Sequence, residues 1–356
     1  MDFHKIAGLT IEDIKKGHLA DLAIQEKYGV KYHQFWLNQE AGTLFCLTEG
    51  PDMNTCEMVH RLAHGNVACA MIEVEPGYYR TFMGEGLSID DGIVRNADGS
   101  PDLGYRSIMV VTAPRLTRTN VAEEILAPQT PQWARRVISQ KISEFNGRLV
   151  KGLISDGFIG VFNDATQGIR CARSIQSALL TNDAKITFRV GVSVGQPVTE
   201  NGKFFTDAAT LANRLSSVAM ENQILVSSLA RDLCTDDALI VESSSIRSLN
   251  ASEEDFISNL LQLTETQLSS ETFTIGNLCH DLGVSRPQLY RKITALTGRS
   301  PIDLLTDLRM DKALTLLKKK TRNISEIAFE VGYNSPSYFA RCFARKFGCT
   351  PSNAVV

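Results

Sequence analysis

TIGNLCHDLGVSRPQLYRKITALTG, Thr274–Gly298, decides the architecture of the C-terminal part of this 356-residue chain. Ile275, Leu278, Cys279 and Leu282 recur at helical spacing and form one apolar stripe, and Gly283 supplies a tight turn. Ser285 then stands where an N-cap is needed for a second helix that carries Leu289, Ile293 and Leu296 inward. Its open face bears Arg286, Gln288, Tyr290 and Arg291, side chains long enough to reach base edges and phosphates in a major groove.

The same grammar returns in ISEIAFEVGYNSPSYFARCFARKFG, Ile324–Gly348. Ser325, Ile327, Ala328 and Val331 precede Gly332; Ser335, Ser337, Tyr338, Arg341 and Arg345 follow it. A helix-prone run, Pro301–Lys320, joins the two copies. From Phe256 to Val356 the chain has 13 Lys+Arg against 8 Asp+Glu, whereas the first 255 residues have 24 against 32. A single helical hairpin of this kind often serves packing alone. Two copies on a basic segment specify an all-α double helix-turn-helix unit whose expected partner is double-stranded DNA.

These motifs, with GVSRPQLYRKITALTGRSPIDLL and the tail KFGCTP (Lys346–Pro351), resemble the AraC/XylS regulators across roughly Phe256–Pro351. The resemblance implies that both second helices enter successive major-groove segments. By position it places Pro287, Tyr290 and Arg291 on DNA in the first helix, and Pro336, Ser337, Tyr338 and Arg341 in the second. Pro287 and Pro336 stand where that family often has a polar or aromatic base reader, so apolar contacts are expected there. Leu289, Ile293, Phe339 and Phe343 are expected to be core.

The rest of the chain is long enough for two further domains. Hydrophobic content of 43% with 22% charge excludes wholesale disorder. The longest apolar runs, such as Ile108–Val111, cannot span a bilayer, and the first residues lack the pattern of a secretory leader; a cytoplasmic chain is expected. Eight cysteines without CxxC spacing read as reduced thiols. The expected division is a first domain over residues 1–75, a Gly- and Asp-rich linker with a hairpin over 76–104, a second domain over 105–241, a Ser/Glu-rich joint over 242–255, and the DNA unit over 256–356.

In the second segment, SIMVVTAP (Ser107–Pro114) reads as a buried strand and Trp133–Phe145 as an amphipathic helix. LISDGFIGVF reads as a hairpin, Gly168–Leu180 as a second helix, and ITFRVGVSVGQPV as another strand pair. An α/β sandwich is the expected fold. GRLVK…SDGFIGVF, FRVGVSVG and FFTDAATLANRLSSVAMENQILVSS together resemble the class III nucleotide cyclase catalytic domain. Triphosphate cyclisation needs two metal-binding carboxylates and a cation for the developing charge. The resemblance puts Thr112 where that family has its first metal-binding Asp and Thr210 where it has a ribose-orienting Asn. It retains only Asp156 and Arg214. The domain is therefore expected to be catalytically inactive and to serve pairing or ligand binding.

Five of the six histidines, His4, His18, His33, His60 and His64, fall in the first 64 residues. HRLAH sets His60 and His64 at i and i+4 on one helical face, so both imidazoles can reach one ion. Cys46, in the apolar strand TLFCLTE, adds a thiol, whereas His18 reads as a capped or surface residue. The element order is strand (Asp2–Ile6), helix (Thr10–Tyr28), strand (Lys31–Trp36), strand (Thr43–Glu49), helix (Met53–His64), strand (Cys69–Glu75), a ferredoxin-like βαββαβ order. MDFH, ADLAIQEKYGVKYHQFW, TLFCLTE and MVHRLAHG resemble a small family of nickel-binding ferredoxin-like proteins over Met1–Glu75. That resemblance implies His4, His33, Cys46, His60 and His64 as ligands; imidazole and thiolate suit nickel, copper or zinc alike.

The expected whole is a multidomain α+β one-component regulator. A metal ion or small ligand acts on its first domain, a lapsed cyclase-like middle makes it a homodimer, and its end binds DNA. The alternative is a nucleotide cyclase that its helix-turn-helix part tethers to DNA.

Overall fold

The structure is a computed structural model that describes residues 1–8, 10–84, 88–112, 130–150, 157–181, 186–199, 203–241 and 245–354. Strand β1 (Asp2–Lys5), helix α1 (Ile11–Ile24), strands β2 (Lys31–Asn38) and β3 (Thr43–Glu49), helix α2 (Met53–Ala63) and strand β4 (Ala70–Met71) follow the expected order. α1 starts at a capping box between Thr10 and Asp13, and its last turn tightens to a 3-10 turn, Gln25–Tyr28. The strands pair antiparallel in the order β4-β1-β3-β2. Side-chain alternation divides this sheet. Phe3, Trp36 and Phe45 pack on one face; Leu44, Cys46 and Phe35 pack on the other, beneath α1.

Residues 76–104, expected to be a linker carrying a hairpin, do contain a hairpin, β5 (Ser88–Asp90) with β6 (Ile93–Arg95), but they also form α3 (Pro76–Met83) and are built into the fold. β6 lies beside β2 and so extends the first sheet. The aromatic stripe Tyr78, Tyr79 and Phe82 drives α3 into a core shared by the first two segments. In that core Trp36 and Phe45 share one cluster with Ile108, Val161, Phe204 and Phe205. The joint also contains Arg106, fully buried, which donates to both Asp102 oxygens and to the carbonyls of Phe82 and Met83.

The second sheet has the order β12-β11-β10-β7-β9-β8. It comprises β7 (Arg106–Thr112), β8 (Arg148–Val150), β9 (Gly157–Phe162), β10 (Arg189–Gly195), β11 (Gln223–Val226) and β12 (Ile246–Ser248). α4 (Gln132–Glu144) and α5 (Ala165–Leu180) cover one face; α6 (Thr206–Val218) lies on the other, and α7 (Ser228–Asp232) is a single turn. The continuous run SIMVV is explained by burial on both faces: Met109 and Val111 meet α4 and α5, while Ile108 and Val110 face the first sheet. The stretch expected to be a strand pair around Gly191 is one strand, β10, antiparallel to β7 and parallel to β11. Gly191 permits α6 to lie close on it, since a Cβ there would stand 2.1 Å from the Ala212 carbonyl oxygen.

The expected joint over 242–255 is structured where described: β12 extends the second sheet, and α8 (Ala251–Gln267) begins at a capping box between Asn250 and Glu253. Then come α9 (Ile275–Asp281), α10 (Arg286–Thr297), α11 (Pro301–Lys319), α12 (Ile324–Glu330) and α13 (Pro336–Phe347). α9 with α10, and α12 with α13, are the two helical pairs. Gly283 (φ +63°) and Gly332 (φ +81°) take the left-handed conformation that their turns require. The first pair shares its core with the end of α6: Leu215 and Val218 sit among Leu260, Leu289, Ile293 and Leu304. Arg299 secures this junction by donating to the carbonyls of Val218 and Ala219, each at 2.9 Å.

Candidate functional site

Two sites emerge, one in the first sheet and one on the C-terminal helices. In the first, period-two alternation turns Asp2 and His4 to the helical side of β1, and Asp2 lies directly opposite Cys46 on β3. Helix α2 brings His60 over this pair, and the buried stripe Ile14, His18, Asp21 of α1 brings a second carboxylate from above. His60 Nε2 is 3.0 Å from Asp2 Oδ2 and its Nδ1 is 3.1 Å from Asp21 Oδ2, so the ring bridges two buried carboxylates. His64 Nε2 stands 3.2 Å from Asp21 Oδ2 and 3.2 Å from His60 Nδ1.

Electrostatics follow from this enclosure. Burial works against the charged form of His60, but the hydrogen bonds and charges of Asp2 and Asp21 outweigh it and raise its pKa to about 9. Burial likewise opposes ionisation of Asp2 and Asp21, and the neighbouring rings override it, holding both below the usual carboxylate range. Burial, reinforced by Asp2, pushes the Cys46 thiol well up.

One ligand atom from each of Asp2, His4, Cys46 and His60 lies within 4.8 Å of the others; Asp21, His60 and His64 form a second such group. The donor set fits a borderline transition metal. Three buried atoms also await partners: both ring nitrogens of His4, and Asp21 Oδ1. His4 Nε2 approaches Asp2 Oδ1 only to 3.5 Å.

Two expectations about histidines are corrected. His33 stands apart from the cluster: a bulge between Tyr32 and Gln34 breaks the register of β2 with β3, and its ring pairs with Glu49 at 3.1 Å. His18 is buried, not a surface residue; its ring packs against Phe35 and lines the cleft beside the cluster. Asp2 and Asp21 were not read from the sequence. Their signal was available, because each is a charged residue on an otherwise inward face.

In the C-terminal site, Arg286, Pro287, Gln288, Tyr290 and Arg291 are exposed on α10, as are Ser337, Tyr338 and Arg341 on α13, with Ser335 and Pro336 half-buried. Leu289, Ile293, Phe339 and Phe343 are core. Local chemistry refines the roles. Pro287 and Pro336 occupy the first turns of their helices, where a missing N–H costs nothing. Gln288 Oε1 accepts from the Ser285 backbone N–H at 2.9 Å, so that side chain caps α10. Ser335 caps α13 by accepting from the Tyr338 N–H, and Arg341 lies over the Tyr338 ring at 5.5 Å. Arg291 and Arg341 are exposed long cations, as are Arg286 and Lys292 on α10 and Arg345 on α13.

Of the residues expected to correspond to a cyclase site, Asp156 lies outside the described residues. Thr112 Oγ1 meets Ser216 Oγ at 3.4 Å, and Arg214 is held by Glu265 of α8 at 2.8 Å.

Two stretches of the chain, one at each end, match known protein families. Residues 278–354 match the family described as "Helix-turn-helix domain", and residues 1–74 match "Nickel responsive protein SCO4226-like". The chain is 35% identical over 104 residues to Histidine kinase P4 of Formosa agariphila, which covers 29% of this chain and 8% of that protein. It is 30% identical over 154 residues to the raffinose operon transcriptional regulatory protein RafR of Pediococcus pentosaceus, covering 43% of this chain and 55% of that protein. The solved structure of SCO4226 from Streptomyces coelicolor A3(2) is 35% identical over 20% of this chain and 90% of that chain, with a TM-score of 0.20. The chain thus spans little of the first relative and about half of the second. Its C-terminal unit is a helix-turn-helix domain. More narrowly, that unit is of the AraC type, and it is preceded at the N-terminus by an SCO4226-like domain.

Proposed function

We propose that this protein is an AraC-type transcription regulator, acting in the cytoplasm, whose DNA affinity answers to a transition metal held in its ferredoxin-like first domain. The observation that carries the proposal is the pair of capped helices, α10 and α13, each presenting an exposed arginine and tyrosine. Phosphate contacts from this basic segment would set register, and Arg291 and Arg341 would read bases. Asp2, His4, Cys46 and His60 would hold the metal, with Asp21 and His64 orienting His60. A bound nickel, copper or zinc ion supplies the positive charge that the two carboxylates share with protonated His60 in the free protein. Among the described residues no helix is long and apolar enough to cross a membrane.

The test is duplex selection with the full chain, because α6 completes the core of the first helical pair and an isolated fragment would expose it. Replacing Arg291 or Arg341 with Ala is expected to weaken binding to the selected site by roughly 1–3 kcal/mol each. Affinity unchanged in both variants removes these helices from base reading.

The middle domain, as we read it, is a cyclase-like pairing module that has lost its chemistry and makes the chain a homodimer. Thr112 supplies a hydroxyl where a metal-binding carboxylate is required, and Glu265 already neutralises Arg214. Purified protein is expected to form no cyclic nucleotide from ATP or GTP with Mg²⁺ or Mn²⁺. Product formation that an Asp156→Ala substitution abolishes would instead support a cyclase tethered to DNA.

A further inference from the structure

The cluster of His4, Cys46 and His60 is the floor of a cleft of about 270 Å³ between α1 and the first sheet. A water occupies ~30 Å³, so this space exceeds what one ion and a few waters fill. Ile6, Ile14, Phe35 and Leu44 supply the apolar part of its lining, beside the polar His18, His64 and Asn66. Polar groups converging beside an apolar lining are the mark of a small organic ligand.

The polar atoms describe the ligand further. Asp21 is 2% exposed and lines the cleft, yet its Oδ1 has no donor. His4, 1% exposed, has no hydrogen-bond partner at either ring nitrogen, its Nε2 reaching Asp2 Oδ1 only at 3.5 Å. Asp13 and Lys16 of α1 also line the cleft; the Asp13 carboxylate accepts from Thr10 in the helix cap, and Lys16 is the lysine of the lining. We infer that the cleft takes an amino-acid-type metal chelator together with the ion: an N–H group for Asp21 Oδ1, a carboxylate for Lys16, and a compact body against Phe35 and Ile14. The inference rests on the metal reading above and adds that the sensed species is a metal chelate, not a bare ion.

L-Histidine is a suitable probe, with imidazole plus acetate as the control for its separate parts. The full chain is loaded with nickel and dialysed to equilibrium against labelled L-histidine, and bound nickel and bound histidine are measured in the same sample. The expected result is one histidine retained per nickel, no comparable retention of imidazole, and about tenfold weaker histidine retention in Lys16→Glu, as loss of one charge-assisted contact implies. Lys5→Glu is the control for a change of net charge. Nickel retained without histidine, nickel stripped from the protein by histidine, or equal retention in wild type and Lys16→Glu overturns the chelate inference and leaves the metal site standing. Failure of the wild type to retain nickel under any condition overturns both.

Discussion

A His60→Ala variant is expected to lose roughly 3–5 kcal/mol of stability, the cost of removing one partner from a buried charged network. The ring is 2% exposed and is the shared partner of Asp2 and Asp21, which are 1% and 2% exposed. Without it the two carboxylates must either stay charged without their common cation or take up protons. His60→Gln, which keeps hydrogen-bonding capacity but not the charge, should recover part of the loss. The urea midpoint of the metal-free chain measures both. The pH dependence has a definite sign. Because the folded pKa of His60 is raised from 6.5 to about 9, its contribution is complete below 6.5 and disappears as the pH rises through about 9. Asp2 and Asp21 are shifted downward from 3.8, so their contribution is present above 3.8 and fails in acid. The wild type should therefore lose stability between pH 6.5 and 9 by more than His60→Ala does. Parallel pH profiles would contradict the bridging role.

Arg106→Leu is the second large effect, again of order 3–5 kcal/mol. Its guanidinium is fully buried and donates to Asp102 Oδ1 at 2.9 Å, Asp102 Oδ2 at 2.8 Å, and the Phe82 and Met83 carbonyls at 3.1 Å each. A leucine leaves Asp102 buried and charged, and leaves the end of α3 short of donors, although Arg148 still reaches the Thr81 and Phe82 carbonyls. Since α3 lies in the core shared by the first two segments, the damage should appear as earlier unfolding of the first domain together with the second. Arg106→Leu/Asp102→Leu removes both charges and should be less destabilised than Arg106→Leu alone. A double variant no better than the single one would mean that the carbonyl contacts, not the ion pair, carry the joint.

The C-terminal unit was legible because its signals are local. Ser285 and Ser335 as caps, Gly283 and Gly332 at turns, and apolar residues at helical spacing each specify one conformation, and all agree. Of the buried polar cluster, spacing alone showed His60 and His64, which share a helix, whereas His4 and Cys46 came as ligands through the family resemblance. Asp2 and Asp21 join it through tertiary packing; their only signal was a charge on an otherwise inward face, which marks burial but names no partner. His33 came through the resemblance alone, and in the structure it pairs with Glu49 beside a bulge between Tyr32 and Gln34. The supposed linker misled through composition: glycines and aspartates at its turns obscured the stripe Tyr78, Tyr79 and Phe82, which packs against Phe204 and Phe205. Gly191 concealed the single strand β10, since its missing side chain serves α6 and not a turn.

The most direct test joins the two ends of the chain. Full-length protein is titrated onto its selected duplex with nickel, with copper, with zinc and after chelation, at one fixed salt concentration. Linkage between sites is typically about 1–3 kcal/mol, so the affinity should change by roughly 5–150-fold with the effective metal. That change should vanish in His60→Gln, and the duplex should alter metal affinity by the same factor. Equal duplex affinity in wild type and His60→Gln under every metal condition would contradict a metal-responsive regulator.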